Sequence, residues 1–410
     1  MWSPSEADRS VVAWMLSPLS IEQFAEQYYE KAPLHIARDD AGFYNRYFSL
    51  ADLENVLFGN ELRTKDVKVV KDGTPARPES YVWEKSKKKS AEKEPASEII
   101  DADRLSALFS SGCSVVLDHL QHFSTKVAEL KRSMEQCFRH SVNGNLYLTP
   151  PGNQGFAVHY DTHDTWIIQI EGRKQWRVYA PPFALPLDDQ KYDKKVHPVG
   201  EVLLEMELRP GDLLYIPRGF MHEARSNEDL SLHITFGLYP NRTLQVLVNF
   251  LETAASEKDA AVLRETFTEA NIPKLLEYLR GALTPENLSA ADARMEEKFV
   301  RERRNGLAGQ ISEVMRLRSL SEDSYAAVRP DMLYEVQASE KNTKLRFSGK
   351  TLFFGPGAAA IVHELEGMSG VQVRSLLKHD PNALSIVRKL IQEGFALQLP
   401  AAPAEKVAVA

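Results

Sequence analysis

The sequence predicts an α+β fold in which a small β-barrel or sandwich sits between helical segments. Two observations carry this. Between Asn145 and Tyr239 the chain is dense in short β-branched and aromatic runs broken by Gly, Pro and Asp: "NLYLTP", "WIIQI", "KQWRVYA", "EVLLEMEL", "DLLYIP" and "SLHITFGLY". Many short strands at close spacing make a sandwich or small barrel. On both sides of this region apolar residues recur at the three-to-four spacing of helices. With 410 residues, 43% hydrophobic and 26% charged, the chain is long enough for two or three domains, each with its own core.

Taken in order, "SPLSIEQFAEQYYEKAPLHI" and "FSLADLENVLFG" read as helices capped by Ser and Pro. Two short strands follow in "DVKVVKDGTPARPES", and the Lys/Glu/Ser run of residues 84–98 reads as a solvated surface loop, its interleaved Glu84, Glu92 and Glu94 arguing against a nucleic-acid finger. Residues 101–142 return to helices, with a strand in "CSVVLDHL". Within the β-rich region "IEGRK" reads as a hairpin turn between two alternating runs. Helical periodicity resumes at residues 242–325 and predicts an all-α segment that packs on itself or on a second copy. From about residue 330, two helices, a turn and flanking strands form a winged-helix pattern. There Lys378, Arg388 and Lys389 stand among acids, which favours packing over DNA binding. The expected domains are 1–100, a helical and strand elaboration; 101–240, the barrel; 241–328, the helical segment; and 329–400, the winged helix.

Composition narrows the function classes. A net charge of −7 with 50 Lys and Arg argues against a generally cationic nucleic-acid binder. The two cysteines, Cys113 and Cys137, lie in apolar surroundings and form neither a disulfide framework nor a C-x-x-C site, so buried free thiols in a reducing cytoplasm are expected. The start "MWSPSEADRS" has early acids and no apolar stretch of the kind that directs export, and a membrane span is not expected.

The chemistry concentrates in "FAVHYDTHDTWIIQIEGRKQWRVY". Non-haem iron in oxygenases is held by two His and one carboxylate on one face of the metal, which leaves the opposite face open. His159 and Asp161 are two apart, so on a strand both side chains leave the same face. The third ligand is expected from "RPGDLLYIPRGFMH", in which a turn at Gly211-Asp212, a strand and Pro217/Gly219 bring back His222. His-x-Asp alone is a weak signal, and a histidine bonded to a core carboxylate is the commoner cause. The pairing with the second segment makes the metal reading the stronger one. Strand alternation would put His163 on the same face, but a bend after Asp161 is expected to leave it outside the ligand set. A 2-oxoglutarate cosubstrate would need a cation in a largely apolar pocket with a hydroxyl alongside. Lys174 and Tyr147 are candidates, although Lys174 reads equally as a solvated turn lysine beside Arg173. Trp166 and Trp176 read as core or pocket wall. Ser231, His233 and Thr235 alternate onto one strand face and are expected in the same pocket.

Together, "GNLYLTPPGNQGFAVHYDTHDTWIIQIEGRKQWRVYAPP" and "LRPGDLLYIPRGFMHEA" resemble the ribosomal oxygenases, the JmjC-type cupin branch of the Fe(II)- and 2-oxoglutarate-dependent dioxygenases. The resemblance extends to the order of the N-terminal helices, the α-rich segment and the winged-helix end. It implies a double-stranded β-helix (JmjC/cupin) barrel, dimerisation through the α-rich segment, and hydroxylation of a ribosomal-protein side chain at its β-carbon with Fe(II), 2-oxoglutarate and dioxygen. By that match His159, Asp161 and His222 are the iron ligands and Lys174 with Tyr147 binds 2-oxoglutarate; Thr235 is grouped with them. Bacterial arginine hydroxylases of the family can carry arginine at the position of Lys174, so the lysine points towards the histidine-hydroxylating type. Lysine demethylation within the same chemistry, or a cupin that only binds, are the competing readings.

Overall fold

A computed structural model describes residues 6–71, 73–83, 99–154, 156–330, 332–366 and 370–399. The charged run at 84–98 therefore lies outside the described residues. The chain divides into two compact units, one made of Arg9–Cys137 with Ser141–Tyr239 and the other mainly of the chain from Pro240 onward.

The first unit opens with helices α1 (Glu6–Leu16) and α2 (Ile21–Gln27), strand β1 (Leu34–Ile36) and helix α3 (Leu50–Gly59). Helix α2 starts where the sequence places it: the Ser20 hydroxyl accepts from the Gln23 N–H, and the Gln23 side chain returns to the Ser20 N–H. Ser49 caps α3 in a similar way. Strands β2 (Val67–Lys71) and β3 (Thr74–Pro75), helix α4 (Ala102–Ser110), strand β4 (Ser114–Leu117) and helix α5 (Thr125–Phe138) follow. The β-rich region then supplies β5 (Ser141–Thr149), β6 (Asp164–Tyr179), β7 (Val202–Leu208), β8 (Leu213–Ile216) and β9 (Met221–Tyr239). Among the described residues these strands form one antiparallel sheet in the order β1-β8-β6-β9-β5-β4-β2-β3, with β7 also on β6. Trp166, Tyr215 and Phe236 are fully buried. Phe24 of α2 is fully buried too, its ring 5.0 Å from Trp166 and 4.9 Å from Tyr215, which ties the helical elaboration to the sheet.

"IEGRK" is not a hairpin turn, because β6 runs through it and pairs with β9 on both sides, from Asp164↔Leu238 to Tyr179↔Met221. What looked like a turn is a bulge, with register shifts on either side of Gly172. Gly172 has φ +63, and a Cβ there would lie 1.6 Å from the Leu230 carbonyl oxygen, so only glycine lets the strands approach. The bulge bends both long strands without ending either.

The second unit contains α6 (Thr243–Ala254), α7 (Ile272–Ala282), α8 (Pro285–Glu302), α9 (Gln310–Arg316), β10 (Tyr325–Val328), β11 (Tyr334–Ala338), β12 (Thr343–Phe347), β13 (Lys350–Phe354), α10 (Ala358–Leu365), β14 (Val371–Gln372), α11 (Val373–Leu376), α12 (Ala383–Gln392) and β15 (Ala396–Leu399). Two three-stranded sheets, β14-β10-β15 and β11-β12-β13, enclose a core with Ile361, Leu365, Leu390 and the paired rings of Phe347 and Phe395. Lys378, Arg388 and Lys389 are all engaged. Lys378 pairs with Glu364 at 2.7 Å, Lys389 with Glu393 at 2.8 Å, and Arg388 donates to the Leu317 and Leu320 carbonyls. Among the described residues no helix is long and apolar enough to cross a membrane. Cys113 and Cys137 are buried and unbridged.

Candidate metal centre and its cavity

His159 and Asp161 sit on the arm that joins β5 to β6, and His222 is the second residue of β9. The arm is not the regular strand that the spacing suggests. It is extended chain pinned at single points. His159 and His222 form an isolated antiparallel bridge, exchanging N–H···O bonds of 3.1 and 2.8 Å in both directions. Two residues on, the Gly219 N–H donates to the Asp161 carbonyl at 3.0 Å. Gly219 has φ +88, and a Cβ there would lie 2.5 Å from the Phe183 carbonyl oxygen, so the turn before His222 requires glycine. Main-chain bonds thus place all three side chains, and their ligand atoms lie within 4.8 Å of one another.

The hydrogen bonds also determine the tautomers. His159 Nδ1 lies 2.8 Å from the Ala157 carbonyl oxygen, and His222 Nδ1 lies 3.2 Å from that of Phe220. A carbonyl only accepts, so each Nδ1 carries a proton, and Nε2 is the nitrogen left to face a metal. Burial, with His159 adding to it, holds His222 down at about 4, so this imidazole is neutral at pH 7. Burial alone would raise Asp161, but His163, His222, His159 and the Thr165 hydroxyl more than offset it and hold the carboxyl below its ordinary value. Two imidazoles with their outer nitrogens tied back, and one carboxylate, fit a divalent first-row metal with open positions.

The triad opens onto a cavity of about 370 Å³, within the range of small-molecule sites. Lys174 lies at one end of it. It is 4% exposed, which removes the solvated-turn reading, and its ammonium donates to the Thr149 hydroxyl at 3.0 Å. Burial pushes it down to about 7. Beside it, burial and then Lys174 hold His233 well below its usual value, and His233 Nδ1 has no hydrogen-bond partner among the described residues. The Tyr147 ring stacks on His233 at 4.9 Å, and burial raises its phenol. A buried lysine, a threonine hydroxyl and an unpartnered imidazole nitrogen are suited to receive a carboxylate.

Trp176 and Thr235 line the cavity, as does His163 outside the triad, whereas Trp166 is core. Ser231 is turned to Gln169, whose amide donates to it at 2.9 Å. Sequence reasoning missed Thr149 and Asn145, both cavity residues, although each is two positions from Tyr147 on one strand and therefore shares its face. It also missed Asp118 and Lys68, which pair at 2.5 Å in the cavity wall. These are neighbours only through the β2–β4 register, Lys68↔Val116, which no local pattern reports.

Residues 117–246 match the JmjC domain family. The chain is 38% identical over 240 residues to ribosomal oxygenase 1 of Gallus gallus, covering 55% of this chain and 36% of that protein. The chain carries a JmjC domain and is related to the ribosomal oxygenases. This JmjC protein is also 34% identical over 265 residues to the bifunctional lysine-specific demethylase and histidyl-hydroxylase NO66 of Dictyostelium discoideum, covering 62% of this chain and 47% of that one. It thus spans between about a third and a half of the length of these curated relatives. Among solved structures it is similar in fold to YcfD, a ribosomal oxygenase from Escherichia coli in complex with cobalt and succinic acid, with a TM-score of 0.53, 17% identity, and coverage of 93% of this chain and 99% of that one. The architecture of the JmjC protein is therefore the expected α+β JmjC/cupin fold.

Proposed function

We propose that the protein is an Fe(II)- and 2-oxoglutarate-dependent dioxygenase that hydroxylates the β-carbon of an arginine or histidine side chain in a ribosomal protein. The observation that carries this reading is the pairing, in one cavity, of a two-His, one-carboxylate triad with a buried lysine that forms no ion pair with a carboxylate among the described residues. His159, Asp161 and His222 would hold the iron. Lys174 and Thr149 would bind the far carboxylate of 2-oxoglutarate, with Tyr147, His233 and Thr235 forming the walls around it. Bound there, iron and 2-oxoglutarate would supply oxidative chemistry in which dioxygen, 2-oxoglutarate and a C–H bond become succinate, CO2 and C–OH.

The remaining steps belong to the chain's own groups. The Nδ1–H bonds to Ala157 and Phe220 hold both imidazoles with Nε2 inward. Thr165 steadies the Asp161 carboxylate. Trp176 and Phe156 supply apolar wall to the cavity. Related names support a ribosomal-protein substrate, and Lys174, rather than arginine, supports histidine over arginine. A demethylase reading is favoured by the name of the Dictyostelium relative, and release of formaldehyde from methyl-lysine peptides would select it.

The same reading divides the chain at 1–100, 101–240, 241–328 and 329–400 and takes the last segment as a winged helix. It also makes the chain a homodimer joined through the α-rich segment, where Leu244, Val248 and Leu276 are exposed apolar residues, and places it in a reducing cytoplasm. The decisive test is anaerobic titration of the metal-free protein with Fe(II) and then 2-oxoglutarate. A visible charge-transfer band that requires both supports the oxygenase; no band with either or both overturns it in favour of a binding cupin.

A further inference from the structure

The β5–β9 register orders the cavity wall as a ladder. Its successive pairs are Thr149↔Ser231, Tyr147↔His233, Asn145↔Thr235 and Asn143↔Gly237. Lys174 bonds to the first rung. The last rung is six residues away along each strand, on the order of 20 Å at about 3.3 Å per residue. A five-carbon diacid with bonds of about 1.5 Å spans only roughly 6 Å. A dianion anchored on Lys174 therefore cannot fill the end at Gly237, which remains for the side chain to be oxidised.

His163 forms that end. Its ring stacks on Tyr239 at 4.7 Å. It lies directly over Gly237, where a Cβ would come within 2.6 Å of His163 Cδ2 and 2.8 Å of Nε2. Gly237 has no unusual φ; its missing side chain is what makes room for the imidazole. His163 is only partly buried and lines the cavity, and neither ring nitrogen has a hydrogen-bond partner among the described residues. Asn145 and the Asp118 carboxylate lie in the same cavity.

We propose that His163 is a specificity-determining residue, held by Tyr239 and by the space over Gly237 so that a ring nitrogen meets a nitrogen-bearing side chain, imidazole or guanidinium, presented on the side of the triad away from Lys174. This rests on the oxygenase reading and adds to it the residue that selects the substrate. Gly237 is then a positioning residue, acting only through the ring it accommodates.

The test compares H163F, which keeps a ring on Tyr239 but has no nitrogen, H163Q, which keeps a hydrogen-bonding group, G237A, which displaces the ring, and the double variant H163F/G237A. The probes are two synthetic peptide pools, one with a single central histidine and one with a single central arginine, read by a +16 Da product. The anaerobic iron–2-oxoglutarate band is recorded for every protein. H163F and G237A are each expected to raise the peptide KM about tenfold, the worth of one good hydrogen bond, with the effect on KM exceeding that on kcat. H163Q should recover part of this. The double variant should be no worse than either single one, because both remove the same contact. A KM within twofold of wild type in H163F, or additive losses in the double variant, overturns the proposal. If G237A fails to fold, the contrast of H163F with H163Q decides alone. Wild-type protein that forms the band but hydroxylates neither pool overturns the substrate reading and this inference with it, whereas a missing band overturns the oxygenase reading first.

Discussion

The triad and the Lys174 end of the cavity solve opposite electrostatic problems. At the triad, a carboxylate sits among three imidazoles, and main-chain hydrogen bonds hold the ligands close together. At Lys174, a cation is buried beside a hydroxyl and the Trp176 and His233 rings with no ion pair among the described residues, and burial disfavours its charged form. The first region is satisfied in the folded chain itself. The second has no ion pair within the folded chain among the described residues, which suits the anion of the proposed reading. The difference teaches which half of the site is scaffold and which half is recognition: pre-paired groups set geometry, whereas an uncompensated buried charge selects a ligand of opposite sign.

Breaking the triad should have the largest effect. H159A, D161A or H222A is expected to lower turnover by about a thousandfold or more, since each removes a metal ligand, and metal binding followed by calorimetry should fall in parallel. Full activity in H222A would refute the ligand assignment. Next comes the recognition end. K174A should weaken 2-oxoglutarate by about a hundredfold, the scale of a buried charge-assisted contact, with Fe(II) affinity little changed. K174M should do the same and yet raise the Tm of the ligand-free protein by a few degrees, about 1 kcal/mol, because a buried uncompensated charge has gone. Removal of a triad ligand offers no such gain.

A pH series sharpens the contrast. The Lys174 ammonium is lowered from 10.5 to about 7, so between those values the unfolded chain holds a proton that the native protein lacks. Stability of the ligand-free protein from this group therefore rises with pH across that window and is lost as pH falls towards 7. If Lys174 binds 2-oxoglutarate as proposed, affinity runs the other way, since the dianion would need the ammonium: it should fall about tenfold per unit above pH 7. In K174R, which stays charged, this dependence should flatten. The smallest effect is expected from T149V, about threefold to tenfold in 2-oxoglutarate affinity for one neutral hydrogen bond.

The triad was readable because its signals are local: two residues on one extended arm, and a Pro/Gly turn that delivers the third. The pocket character of His233 and Thr235 was readable from strand alternation. Lys174 was ambiguous for a physical reason. "EGRK" has the composition of a turn, and only the pairing of β6 with β9 across Gly172 turns it into a bulge that buries the lysine. The Asp118–Lys68 pair likewise depends on β2–β4 register. The place of His163 over Gly237 depends on a residue more than seventy positions away. The capped helices α2 and α3, whose determinants lie within four residues, came out where the sequence placed them.

The His159–His222 bridge closes the base of a long excursion. About sixty residues leave the arm at His159 and return at His222, and the two backbone bonds of the bridge are the seam between departure and return. An ion held by the same two residues would be a clasp across that seam. Its binding would add stability by mass action, about 2.7 kcal/mol at a hundredfold excess over Kd, and would oppose local opening of the excursion, including the 181–201 connection with its exposed Phe183 and Val196. Metal supply would then govern how long the protein survives proteases as well as how fast it works. Chains deprived of iron would be the first to be cut, and removed before they could hold substrate without turning it over.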